Sequence, residues 1–94
     1  MILSYADKRT QTFASGAFVS AFQSFADQAE RRLAILEAAT SLDDLRALRS
    51  NHLEALRGDR RGQWSIRINK QWRICFGWPP QSPGPMEVEI VDYH

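Results

Sequence analysis

A chain of 94 residues, 44% hydrophobic and 24% charged with a net charge of +1, suits one domain and is too short for two. This composition excludes disorder, which requires fewer apolar residues and a larger net charge. The single cysteine, Cys75, excludes an internal disulfide and a cysteine-only zinc site, and is expected to be a small strand residue.

Met1-Ile-Leu-Ser-Tyr-Ala runs directly into Asp7, Lys8 and Arg9. No signal-peptide apolar run follows a basic start and no stretch reaches bilayer length, so the expectation is a cytoplasmic protein. Residues 2–5 alternate weakly and predict a short edge strand. Asp7 is suited to cap a helix reaching about Ala14, with Gly16 ending it and Gly16 to Ser20 as a connection. From Phe22 to Ala39 the residues Phe22, Phe25, Ala26, Ala29, Leu33, Leu36 and Ala39 recur at three and four, the apolar stripe of an amphipathic helix. Ser41 and Asp44 resemble a capping box ahead of a short third helix through Leu45 and Leu48.

Residues 49–62 lack a period and contain Gly58 and Gly62, which predicts a loop with a short strand near Leu53 to Leu56. Three strands follow, Gln63 to Ile68, Trp72 to Trp78 and Met86 to Val91, with a proline loop between the second and third. The class is therefore α+β, one domain over residues 1–94, with an arginine-rich antiparallel sheet in the C-terminal half.

Strand parity fixes a register. Trp64, Ile66 and Ile68 share one face, as do Trp72, Ile74, Phe76 and Trp78. A two-residue turn would send these sets to opposite sides, whereas a three-residue loop, Asn69-Lys70-Gln71, pairs Ile66 with Ile74 and puts both on the core. The same register sets Arg67 directly opposite Arg73. Like charges so placed destabilise a sheet, so an anion is expected over them, either Glu87 and Glu89 or a bound phosphate.

Charge is concentrated in the same region. Arg57, Arg60, Arg61, Arg67, Lys70 and Arg73 face the single acid Asp59, a local charge of +5 that leaves −4 for the rest of the chain. A patch of this kind suits phosphate, although a solvated or internally neutralised arginine surface has the same composition. Neither a phosphate-binding glycine loop nor a metal-spaced His/Cys/Asp set is present. Arginines with His52 and a closing Asp92-Tyr93-His94 suit RNA cleavage without metal or cofactor. There the 2′-OH attacks its own phosphate, a base takes the proton, a cation holds the phosphorane charge and an acid protonates the leaving 5′-oxygen. A terminal His94 is alternatively a frayed residue.

Four strings in order, Leu53-Glu-Ala-Leu-Arg-Gly-Asp-Arg60, Gly62-Gln-Trp-Ser-Ile-Arg-Ile-Asn69, Gln71-Trp-Arg-Ile-Cys-Phe76 and Val88-Glu-Ile-Val-Asp-Tyr-His94, resemble the HigB-type toxins of the RelE/ParE superfamily. Met1 to Tyr5 and Glu30 to Arg46 share the resemblance. It implies helices packed on one face of an antiparallel sheet, the RelE-like fold. It also implies an endoribonuclease that cuts mRNA on the ribosome, held inactive by a helix-turn-helix, HigA-like antitoxin, with operator DNA bound only by the pair. Arg57 and Arg73 would hold the scissile phosphate, Asp92, Tyr93 and His94 would stand at the reacting centre, and Arg60, Arg61, Arg67 and Lys70 would contact RNA or the ribosome. Some members carry histidine where this chain has Glu54, which leaves His52, Glu54 or a C-terminal residue as the base. In an unbroken strand Asp92 and His94 face away from Tyr93. Either the strand ends or bulges there, or the three do not share one site. The alternatives are a ParE-like gyrase inhibitor and a non-toxic nucleic-acid-binding module.

Overall fold

The computed structural model describes residues 1–93. Its helices are α1 (Lys8–Ala14), α2 (Ala26–Ala38) and α3 (Leu42–Ala47), and its strands are β1 (Glu54–Ala55), β2 (Gln63–Arg67), β3 (Trp72–Gly77) and β4 (Met86–Asp92). The four strands form one antiparallel sheet in the order β1-β2-β3-β4.

Local chemistry sets the helix starts. Asp7 accepts a hydrogen bond from the Thr10 amide, 3.1 Å, which satisfies one of the unpaired N–H groups of α1. Ser41 does the same for the Asp44 amide, 3.2 Å, while the Asp44 carboxylate reaches back to the Thr40 amide and hydroxyl at 2.8 and 2.9 Å.

The continuous helix expected from Phe22 to Ala39 divides. Ser20–Phe25 is a 3-10 turn and α2 begins only at Ala26. Residues three apart eclipse in a 3-10 turn, which aims both Phe22 and Phe25 at Trp72, with ring centroids 5.7 and 4.7 Å away. Phe13 joins edge-on to Phe22 at 5.4 Å. Pairs of this kind contribute about 0.5–1.5 kcal/mol each beyond burial.

The segment expected as an edge strand forms only a parallel bridge, Tyr5 with Val88. Its hydrogen bonds still run along β4, from the Leu3 amide to Pro85, the Ala6 amide to Val88 and the Val88 amide to Ser4. Further along β4, the Ile90 amide donates to the buried Thr10 hydroxyl of α1.

The β2–β3 register is the expected one, with Ile66 opposite Ile74 and Arg67 opposite Arg73. Asn69 closes the hairpin by accepting from the Gln71 and Trp72 amides, both at 2.8 Å. Ile66, Ile74, Phe76, Val88 and Ile90 are fully buried with Phe22, Leu36 and Leu45. The core therefore lies between the helices and one face of the sheet, and the arginines occupy the other. Trp72 joins the aromatic cluster, so its neighbour Arg73 is held on the far side by alternation.

Candidate active site

The far face is built in rows. Glu54, Ser65, Cys75 and Glu89 pair across all four strands, and Arg67, Arg73 and Val91 form the next row. At the centre is Arg73, whose side chain is only 17% exposed. Its Nη1 donates to the buried Ser65 hydroxyl at 2.9 Å and to the His52 carbonyl at 3.2 Å, and lies 3.6 Å from the Glu54 carboxylate. Its Cζ stands 5.3 Å from the centroid of the Tyr93 ring. All these bonds leave from one nitrogen. Nε and Nη2, the edge that matches two oxygens of a phosphate, make no hydrogen bond among the described residues.

The anions over the arginines differ from those expected. Glu54 pairs with Arg73. Glu89 takes Arg60 instead, with both terminal guanidinium nitrogens 3.3 Å from one carboxylate oxygen. Glu87 turns away and bonds to Ser4. The cause is a register break between Cys75 and Gly77, with Glu87 at φ 53 in the left-handed region, which removes Glu87 from the phase that Glu89 keeps. Arg67 is restrained by its Nε–H bond to the Asn69 carbonyl, 3.2 Å.

The remaining expected residues scatter. Asp92 pairs opposite Trp72 and accepts from the Gln71 amide group at 3.0 Å, whereas Tyr93 turns to Arg73. Strand β4 runs through to Asp92 and Tyr93 follows it, so alternation directs the two side chains to different sides of the sheet. His94 lies outside the described residues. Arg57 and Arg61 are exposed on the loop after β1, and Lys70 is exposed at the hairpin tip. Among the described residues Arg57 makes no ion pair or hydrogen bond through its side chain. Cys75 is buried, which pushes its thiol pKa up despite the nearby guanidinium groups of Arg60 and Arg73.

A profile described as the RelE-like toxin of the type II toxin-antitoxin system HigB matches residues 4–94. The chain belongs to the HigB-like toxin family. Toxin HigB-1 of Vibrio cholerae is 48% identical over 48 residues, 51% of this chain and 50% of that protein. Endoribonuclease HigB of Proteus vulgaris is 38% identical over 50 residues, 53% of each chain. An uncharacterised Haemophilus influenzae protein is 39% identical over 64 residues, 68% of this chain and 63% of its own length. The chain spans between half and two thirds of the length of these curated relatives.

One member of this HigB-like site, Ser65, was not singled out from the sequence: it anchors Arg73, and its place on the polar face beside Arg67 was the available signal. His52 was expected as a candidate base, and the contact it makes with Arg73 is through its backbone carbonyl, for which residue type offers no signal.

Proposed function

We propose that the protein is the toxin of a type II toxin-antitoxin pair, an endoribonuclease that cuts mRNA presented by the ribosome. The observation that carries this is Arg73. Its guanidinium is fixed on one nitrogen, backed by the Tyr93 ring, and has its Nε–Nη2 edge unbonded among the described residues. A preorganised planar cation of this kind stabilises charge that grows on a phosphorane.

In the proposed reaction the 2′-oxygen attacks the adjacent phosphorus and the P–O5′ bond breaks, leaving a 2′,3′-cyclic phosphate. Glu54, which is half-exposed and in ion-pair contact with Arg73, takes the 2′-OH proton. His94, an imidazole able to give a proton near neutral pH, protonates the departing 5′-oxygen, a role that the family resemblance supports. Tyr93 offers its ring to a base, as aromatic side chains do in single-stranded RNA recognition. Arg57 adds charge at the rim. Asp92 acts from the other face, holding Gln71 and the end of β4. Arg60 is already paired with Glu89, so Arg61, Arg67 and Lys70 are the better contacts to RNA and ribosome. The partner that restrains the toxin is a helix-turn-helix antitoxin, and operator DNA is bound by the pair.

Purified protein, programmed ribosomes and end-labelled mRNA test this. The wild type is expected to cut within the ribosome-bound codon. Arg73→Ala is expected to cut about 100- to 1000-fold more slowly, the usual loss for one preorganised donor, and deletion of His94 is expected to slow cutting strongly. Wild-type rates in folded Arg73→Ala would refute the assignment. Inhibition of gyrase without RNA cleavage would replace it.

A further inference from the structure

We infer that the cleft between α2 and the β2–β3 hairpin is a second phosphate seat, which holds an RNA phosphodiester beside the site at Arg73. The cleft encloses about 340 Å³, and its lining includes Arg32, Ser50, His52, Arg67 and Lys70. No acidic side chain lines it among the described residues. A polar recess with three permanent cations and an imidazole attracts a compact polyanion, since each cation interacts favourably with the same charge.

The recess is organised rather than incidental. Arg32 Nη1 donates to Asn51 Oδ1 at 2.9 Å and to Ser50 Oγ at 3.2 Å. Asn51 is itself fully buried and donates to the Leu45 carbonyl at 3.0 Å. One side of the Arg32 fork is thereby anchored to the interior through Asn51. On the opposite wall, the Nε–H bond from Arg67 to Asn69 constrains the Arg67 fork.

His52 links this cleft to the first site. It caps the 3-10 turn Arg49–Asn51 with φ 46 and ψ 52, a left-handed conformation uncommon outside glycine. Such backbone persists where its surroundings hold it, and clusters at functional sites. Here the His52 carbonyl bonds Arg73 while His52 also lines the cleft. Arg67 lines the cleft too and is the direct cross-strand partner of Arg73. A strand of RNA with one phosphate at Arg73 can therefore place a neighbouring phosphate between Arg32, Arg67 and Lys70.

The polymer's identity rests on the endoribonuclease proposal, whereas the anion chemistry does not. The phosphate belongs either to the mRNA or to ribosomal RNA, and two binding arms separate them. The first titrates a non-cleavable 2′-O-methyl hexanucleotide, and the second titrates ribosomes without mRNA, each over a range of KCl concentrations. Wild type, Lys70→Gln, Arg32→Gln and the α1 control Lys8→Gln are compared. Lys70→Gln is expected to flatten the dependence of log affinity on log salt by about 0.7 for a single-strand contact. The loss should be similar for all sequences. A change in the hexanucleotide arm assigns the seat to mRNA, and one confined to the ribosome arm assigns it to ribosomal RNA. Arg32→Gln also loosens Asn51, so the exposed Lys70 decides. An unchanged slope for Lys70→Gln in both arms, or an equal change for Lys8→Gln, overturns the proposal. If wild type fails to cleave mRNA yet Lys70→Gln still flattens the slope, the cleft stands and the endoribonuclease assignment falls.

Discussion

The guanidinium of Arg73 stacks on the ring of Tyr93, with Cζ 5.3 Å from the ring centroid. This contact ties the end of β4 to the middle of β3. It uses the ring rather than the hydroxyl, and Tyr93 remains 38% exposed. Tyr93→Phe is therefore expected to cleave within about threefold of wild type, because the cation–π contact survives. Tyr93→Ala should lose about 10- to 100-fold, in the range of one lost stacking contact. Equal losses in both variants in single-turnover cleavage would show that the hydroxyl is the working group.

Glu54 neutralises Arg73 across 3.6 Å, and a substrate phosphate would compete with it. In Glu54→Gln the competition disappears, so affinity for non-cleavable RNA should rise. Turnover should nevertheless fall about 100-fold or more, the usual contribution of a general base. Binding and cleavage measured on the same variant check the opposed signs. Tighter binding with undiminished turnover would leave Glu54 as a counterion and return the base role to His52 or the C-terminus.

Asn51 is buried and joins the Leu45 carbonyl to Arg32. Asn51→Ala removes the donor to a buried carbonyl and the acceptor of a guanidinium together. Each unsatisfied group costs about 1–3 kcal/mol, so urea denaturation should show a loss of about 2–4 kcal/mol. A loss below about 0.5 kcal/mol, as at an ordinary surface site, would show that this connection is dispensable.

The Asp44 carboxylate accepts hydrogen bonds from the Thr40 amide and hydroxyl, and these hold its carboxyl below the usual carboxylate range. A group whose folded pKa is depressed adds stability above its unfolded value, and that stability is lost as pH falls through the folded value. Wild type should therefore be more stable than Asp44→Asn at neutral pH. The two denaturation curves should converge as pH falls below about 4. A constant difference from pH 7 to pH 2 would contradict the assignment.

The β2–β3 register was legible because side chains alternate with a period of two, and only an odd hairpin loop puts Ile66 and Ile74 on one side. The repulsion between Arg67 and Arg73 correctly demanded an anion. Its identity was not legible, because the shift between Cys75 and Gly77 moves Glu87 out of phase, and β1, which supplies Glu54, is only two residues long. Neither the bulge nor so short a strand leaves a periodic signal. The separation of the Asp92 and Tyr93 side chains followed from parity, because the stretch of β4 after the shift keeps its register from Glu89 to Asp92. Phe22 and Phe25 fit a helical stripe and a 3-10 turn equally well at a spacing of three, so packing on Trp72 decided between them.

The bonds that Leu3, Ala6, Val88 and Ile90 make along the outer side of β4 bear on how the protein associates. An unpaired strand flank is a template on which a foreign chain adds itself as a further strand. Here the chain's own N-terminal segment and Thr10 fill that role on one flank, and the opposite flank is the two-residue β1. Among the described residues the sheet offers no long ladder for self-templated growth into fibres. The antitoxin proposed above is therefore expected to grip side chains, on the helices or on the arginine face, rather than extend the sheet.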